Sequence, residues 1–296
     1  NRVAVITGAG RGLGAGYARL LASRGAAVVV NDPGVAADGT ALEATPAEEV
    51  AAEIRAAGGA AVAEHSSVSS PEGGAAIVQK ALDEFGRIDI LINNAGILRD
   101  KAFHNLEWPN LDAVLDVHLR GAFYVTQPAF RAMRSQAYGR IVFTTSNAGV
   151  LGNFGQANYG AAKLGLVGLM NVLRQEGARY NVKVNTVAPV ARTRMTEELL
   201  GPVAERLDPE AVAPVVAYFC SEACAVNGDI WSVAGGNVSR FFIGRTPGYF
   251  KHPGREGALT LEDVAGHVEA IRSETGYTVP LSVQEELQGM APLLFG

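Results

Sequence analysis

The stretch SNAGVLGNFGQANYGAAK, residues 146–163, holds one serine, one tyrosine and one lysine in an otherwise bland run. Tyr159 and Lys163 are four residues apart, which on a helix puts both side chains on one face. An ordinary tyrosine, with a pKa near 10, is a poor base at neutral pH. A nearby ammonium favours the phenolate. Bringing the pKa to about 7 takes roughly 4 kcal/mol, at about 1.36 kcal/mol per unit. Ser146 closes the run RIVFTTS, and its hydroxyl could orient a reacting oxygen there. Taken singly, each residue is more often structural: a packed tyrosine, a solvated lysine, a serine ending a strand.

A second motif gives the three a common purpose. TGAGRGLG, residues 7–14, follows the apolar run VAVIT and opens a helical pattern. Glycines in such a turn let the backbone approach a pyrophosphate, and the helix N-terminus adds free N–H groups and partial positive charge. The position after the first strand of an α/β pattern makes Gly8, Arg11, Gly12, Leu13 and Gly14 a nucleotide-binding turn. Asp32 ends the second strand run, where a carboxylate accepts hydrogen bonds from an adenosine ribose and repels a 2′-phosphate. It could instead serve only the turn before Pro33-Gly34. Arg11 pulls toward a 2′-phosphate, so the balance favours NAD and keeps NADP open. A proton-transfer group opposite a hydride carrier is the chemistry of an oxidoreductase, and an oxidised nicotinamide ring would add to the charge that lowers Tyr159.

These residues need a scaffold, and the chain supplies a repeated one. VAVIT (3–7), AVVVND (27–32), AVAEH (61–65), IDILINN (88–94), RIVFTTS (140–146) and VKVNTVA (182–188) read as strands. Helical segments separate them, among them 46–59, 109–136 and 158–180. Continuous Val/Ile/Leu runs without alternation mark strands buried on both faces, as in a parallel sheet covered by helices. The fold class expected is α/β, a doubly wound parallel sheet of Rossmann type. The catalytic domain is expected over 1–235. A glycine-rich, aromatic extension over 236–296 would pack on the core or on a partner subunit, with 260–274 as one helix capped by Thr260.

Composition excludes several alternatives. In 296 residues, 48% are hydrophobic and 19% charged, enough for a core and too apolar for a disordered chain. A net charge of −5 argues against nucleic acid as a partner. No apolar run is long enough to cross a bilayer, and NRVAVITG has no signal-peptide pattern. It also lacks an initiator Met, so a few native residues are expected before it. Cys220 and Cys224 are too few for a metal site, so no metal is expected. They read as buried thiols in a reducing compartment, which gives a cytoplasmic expectation.

Together, TGxxxGxG at Thr7–Gly14, NNAG at Asn93–Gly96, and Ser146 with YxxxK at Tyr159–Lys163 resemble the short-chain dehydrogenase/reductase family over residues 2 to about 235. Longer stretches (VVVNDPG, NNAGILRDKAF, GNFGQANYGAAKLGL, VAGGNVSRFFIGRT) are similar to the (3R)-hydroxyacyl-CoA dehydrogenase part of the peroxisomal type 2 multifunctional enzymes. The resemblance implies Tyr159 as acid/base, Lys163 on the nicotinamide ribose, and Ser146 on the substrate oxygen. It further implies Ser67 and Val68 near adenine, Asn94 near the ribose and Thr193 near the carboxamide. The helix position that usually carries asparagine is His118, in VHLRG, which either holds the water of a proton relay or only fills the site. Ser66 or Ser67 stands where the family has an Asp, and Pro189-Val190 where it has Pro-Gly.

No hydratase or sterol-carrier module follows, which implies a stand-alone dehydrogenase of fatty acid or steroid metabolism. The expected reaction interconverts a (3R)-hydroxyacyl-CoA and its 3-oxo form with NAD. A hydroxysteroid dehydrogenase, an NADPH-dependent 3-oxoacyl reductase and a non-catalytic nucleotide-binding scaffold are the rivals. GLVGLMNVL (165–173) is apolar on nearly every side, and a helix of that kind is buried all round. Hence a homodimer is expected, with residues after about 235 walling the acyl site.

Overall fold

A computed structural model of the chain describes residues 2–34, 45–191 and 205–295. In chain order the first elements are β1 (Val3–Thr7), α1 (Gly12–Ser23), β2 (Ala27–Asn31), α2 (Pro46–Ala56), β3 (Ala60–Glu64), α3 (Pro71–Phe85) and β4 (Ile90–Asn93). There follow α4 (Trp108–Leu115), α5 (Gly121–Gln136), β5 (Gly139–Thr144), α6 (Asn147–Leu151), α7 (Ala157–Gly177) and β6 (Val182–Val190). Helix α8 (Ala213–Cys220) and strands β7 (Ile230–Ala234) and β8 (Asn237–Phe241) complete the sheet layer.

Among the described residues the sheet has eight strands in the order β3-β2-β1-β4-β5-β6-β7-β8, parallel except for the antiparallel β7–β8 pair. Val5 pairs with Val29 on one side and Leu91 on the other. All five residues of β1 and all six of β5 are buried, as apolar runs without alternation require. One core layer joins β-strand side chains such as Ile6 and Val30 to Tyr17, Ile54 and Phe219 on α1, α2 and α8. The other joins Val5, Leu91 and Phe143 to Ile77, Met133 and Leu166 on α3, α5 and α7. This is the doubly wound α/β architecture. Its strand order reverses between β1 and β4, and the carboxyl ends of strands at such a reversal form a ligand crevice.

Two local features depart from the sequence expectations. The helix expected over 109–136 is interrupted by a π turn at Asp116–Arg120, between α4 and α5. In the tail, the helix expected over 260–274 is broken in two. Thr260 does cap, through a reciprocal box with Asp263, but the helices are α10 (Leu261–Gly266) and α11 (Val268–Arg272). His267 leaves helical geometry between them, stacked on Tyr249 at 3.7 Å between ring centroids, and Gly266 before it is a weak helix former.

The chain divides into two compact units at Phe241. The first extends past residue 235 because β8 pairs along the whole of β7. The second, 242–296, contains α9 (Pro253–Glu256), α10, α11 and α12 (Val283–Phe295). Paired backbone bonds between Arg245 and Thr278 tie it together, as does the stack of Phe242 on Tyr277. None of its described residues is buried.

Candidate active site

The glycine turn is built by close packing. An added Cβ at Gly14 would stand 2.3 Å from the carbonyl oxygen of Gly8, so only glycine lets α1 start this close to the loop. Asn94 donates through Nδ2 to the Thr7 and Gly8 carbonyls, at 3.1 and 3.0 Å. Thr7 Oγ1 accepts from the Asn94 and Ala95 amides, at 3.0 and 3.1 Å. The ends of β1 and β4 are thereby fixed to each other. Beyond β2, Asp32 accepts from the Gly10 amide at 3.2 Å and the Gly34 amide at 3.0 Å. Among the described residues it has no ion-pair partner, so its negative charge faces the turn.

β5 ends at Thr144, and Ser146 is the N-cap of the short α6, accepting from the Ala148 amide at 3.1 Å. Tyr159 and Lys163 lie on α7, as their spacing predicts. Asn158, also on α7, donates to the carbonyls of Arg99 and Asn110, at 3.0 and 3.4 Å, and so fastens the loop after β4 to the catalytic helix. The Lys163 ammonium nitrogen donates to the Thr144 carbonyl at 2.6 Å and lies 5.5 Å from the centre of the Tyr159 ring. Thr145 Oγ1 donates to the Lys163 carbonyl at 2.6 Å.

Burial dominates the electrostatics. It brings Lys163 down to about 7. Tyr159 is held above its ordinary value, first by burial, with the Ser146 hydrogen bond pulling it down and the Asp100 carboxylate pushing it up. Within the chain alone, then, burial outweighs what favours the Tyr159 phenolate. His118 is buried in the π turn, edge-on to Tyr159 at 5.1 Å between centroids. Burial and the Lys163 charge hold it well below the usual histidine range, so it is neutral.

These groups converge on a cavity of about 650 Å³. Its walls include Gly8, Arg11, Gly12, Leu13, Asp32, Asn94, His118, Ser146, Tyr159 and Lys163. Gly14 supports the turn from behind. Ser67 is exposed, and Val68 is buried beside Thr7 and His118 rather than in the cavity wall. Thr193 lies outside the described residues. Leu98, Leu151 and Val190 give the same cavity an apolar side. A larger hollow of about 840 Å³ borders Arg2, Leu20, Tyr218 and Cys220 at the amino ends of the strands, and it contains none of these groups.

Sequence reasoning missed Thr144, Thr145 and Gln156. Gln156 is buried in the wall and donates to Asp100 at 2.7 Å. Only the first two had a signal, their position beside Ser146. Cys220 and Cys224 are free and buried, remote from the cavity wall. No group of metal-ligating side chains occurs among the described residues, and no described helix is long and apolar enough to cross a membrane.

The turn fits a dinucleotide: Gly8, Arg11 and Gly12 line the cavity, Gly12 with a φ of 54° and open space where a Cβ would stand, and Asp32 stands a strand away at the same cavity. Comparison with known proteins points the same way. The family profile described as short chain dehydrogenase matches residues 2–201. A Mycobacterium tuberculosis protein named as a short-chain type dehydrogenase/reductase is 51% identical over 93% of this chain and 96% of its own length. The peroxisomal multifunctional enzyme type 2 of Mus musculus is 45% identical over 99% of this chain, which spans 40% of that enzyme. A crystal structure of a short chain dehydrogenase from Mycobacterium avium superposes with a TM-score of 0.80 at 39% identity, covering 93% of this chain and 97% of that one.

Proposed function

Because this chain belongs to the short-chain dehydrogenase family and is an oxidoreductase, we propose that it interconverts (3R)-hydroxyacyl-CoA and 3-oxoacyl-CoA with NAD. The observation that carries the reading is the meeting of Ser146, Tyr159 and Lys163 with the glycine turn and Asp32 around one cavity. The Gly8–Gly14 turn would hold the pyrophosphate, Asp32 the adenosine ribose, and Asn94 and Lys163 the nicotinamide ribose. Ser67 and Val68 would lie toward adenine and Thr193 toward the carboxamide. Bound there, NAD supplies a hydride acceptor and a positive ring.

The chain's own groups handle the proton. Ser146 donates to the substrate oxygen and fixes it beside Tyr159. The Tyr159 oxygen takes the hydroxyl proton as the carbon–hydrogen bond breaks and the carbon–oxygen bond becomes double. Lys163, pinned by Thr144, offers the ammonium that stabilises the phenolate. The apolar wall of Leu98, Leu151 and Val190 suits an acyl chain. Similarity to a type 2 multifunctional enzyme supports the thioester class.

Arg11, in the same wall, favours a second reading: an NADPH-dependent 3-oxoacyl reductase. A hydroxysteroid would also suit the apolar side. NADH formation measured against (3R)-hydroxyacyl-CoAs, free steroids and plain secondary alcohols separates these readings. Turnover of steroids alone, or with NADP alone, overturns the first.

We further propose a homodimer. On α7, Leu164 and Val172 are about half exposed and flank exposed Gly168 on one stripe. The unit 242–296 carries exposed Leu261, Val283 and Phe295, and none of its described residues is buried. A second copy would cover these apolar surfaces. Two buried free thiols fit a reducing compartment, the cytoplasm in the simplest case.

A further inference from the structure

Where the family resemblance puts an aspartate after β3, this chain has Ser66 or Ser67. Its carboxylate comes earlier, at Glu64, the last residue of β3, and only 9% of that residue is exposed. Glu64 is paired in register with Asn31 at the end of β2. Its Oε2 accepts from Asn31 Nδ2 at 2.6 Å, and its Oε1 accepts from the Ser66 amide at 2.9 Å. The second Asn31 hydrogen goes to the Ser66 carbonyl, at 2.9 Å. Turned over, the Asn31 amide would set its oxygen against two acceptors, so these contacts fix its direction. That direction leaves Asn31 Oδ1 buried with no partner among the described residues, a costly state for a polar atom.

Both polar groups of the Ser66 backbone are thus held by side chains at the ends of β2 and β3. The next two residues are fixed by other elements. A Cβ on Gly73 of α3 would stand 1.9 Å from the Ser67 carbonyl oxygen, and one on Gly121 would meet Val68 at 3.0 Å. On the other side, the Glu64 carbonyl accepts from the Asp32 amide at 3.0 Å. Glu64 is therefore bonded both to the residue read as the ribose acceptor and to the loop read as facing adenine. It has no ion-pair partner among the described residues. Lys80 on α3 feels its charge but is paired with Glu84 at 2.7 Å. A nearly buried charge without a counter-ion is costly. Here it supplies what a neutral side chain cannot, one acceptor oxygen for each of two donors on different strand ends.

We propose that Glu64 is a positioning residue for the adenosine half of the dinucleotide, its carboxylate setting Ser66, and with it the Ser67–Val68 loop, beside Asp32. This rests on the reading of the glycine turn and Asp32 as a dinucleotide site. Without the anchor, the ligand itself must order the loop, and its affinity falls by what that ordering takes. The nicotinamide half is not touched, since its proposed partners Asn94 and Lys163 lie after β4 and on α7.

Calorimetric titration with ADP-ribose, which carries the adenosine half and no nicotinamide, reads the effect without turnover. Glu64→Gln keeps the length and one carbonyl oxygen, but its NH2 group faces one of the two donors, so one anchor is lost. Glu64→Leu loses both. ADP-ribose should bind about tenfold more weakly to Glu64→Gln and about a hundredfold more weakly to Glu64→Leu, one charge-assisted hydrogen bond for each step. With nicotinamide mononucleotide as the hydride acceptor, kcat/KM of Glu64→Gln should stay within about twofold of the parent.

An unchanged ADP-ribose affinity in Glu64→Gln overturns the proposal, whether or not Glu64→Leu folds. A lower melting temperature with that same unchanged affinity makes Glu64 a support of the sheet edge alone. Equal losses for ADP-ribose and nicotinamide mononucleotide also overturn the proposal, because the damage is then general. A parent that binds no ADP-ribose defeats the dinucleotide reading and this inference together. A parent that binds it, with variants that bind it equally well, defeats this inference alone.

Discussion

Replacing Lys163 by methionine should abolish activity and make the protein more stable at neutral pH. The side chain is enclosed, and its ammonium is held down from 10.5 to about 7. At about 1.36 kcal/mol per pKa unit, keeping that cation charged costs folding about 5 kcal/mol. Methionine has a similar length and carries no charge. It leaves the Thr144 carbonyl without its 2.6 Å donor, a loss of about 1–3 kcal/mol for a buried acceptor. A net gain of about 2–4 kcal/mol at pH 7 remains.

The pH dependence distinguishes this from ordinary repacking. The folded pKa lies below the unfolded one, so the penalty is full below about pH 7 and fades as pH rises toward 10.5. By pH 9 only about 2 kcal/mol of it is left, and the advantage of methionine should have nearly vanished. Urea unfolding of both proteins at pH 7 and pH 9, without cofactor and at one protein concentration, reads the difference directly. A methionine variant that is less stable at pH 7, or whose advantage is the same at both pH values, refutes the reasoning.

Tyr159→Phe should lower kcat by at least about a hundredfold, the smaller end of acid–base catalysis, while NADH binding measured by fluorescence persists. The parent enzyme should prefer NAD over NADP by at least about tenfold in kcat/KM, and Asp32→Ala should narrow that ratio, about 1.4 kcal/mol being at stake. A parent that prefers NADP makes Arg11 the deciding residue instead. Gly14→Ala, whose Cβ would press on the Gly8 carbonyl at 2.3 Å, should weaken dinucleotide binding by at least about tenfold, because overpacking of about 1–3 kcal/mol must displace the turn. Leu164→Asp places a charge on the exposed stripe of α7 and should convert the proposed dimer to monomer, read by light scattering. A dimer that survives it moves the interface elsewhere.

Legibility from sequence followed the locality of each signal. β1 and the turn at Gly8–Gly14 were readable because apolar continuity and glycine spacing are properties of a few adjacent residues. Tyr159 and Lys163 were readable because a single helix carries both. The π turn at Asp116–Arg120 was not, since VHLRG has ordinary helix formers and only tertiary packing decides where a helix widens. Strands β7 and β8 were not foreseen: β7 lies just before the glycine-rich tail and β8 inside it, and Gly235-Gly236 between them is the hairpin turn, both with positive φ. The Tyr159 environment was illegible for a different reason. Sequence shows that a lysine is near, but not that burial outweighs it.

The widened turn at Asp116–Arg120 also has an evolutionary side. A π turn is one residue more than the helix needs, so deleting a single residue there would leave a continuous and more regular rod. The flanking turns would keep nearly their present direction, because the wide turn absorbs the extra residue, but the residues of the turn itself, His118 among them, would each move one position around the helix. Selection for thermal robustness alone would therefore reward the deletion's regular hydrogen bonding, while selection for turnover would reject it for misplacing His118. In a library of single-residue deletions through α4 and α5, sorted separately for expression and for activity, deletions at these five positions should be enriched by the first sort and depleted by the second. Deletions elsewhere along the helix should be depleted by both.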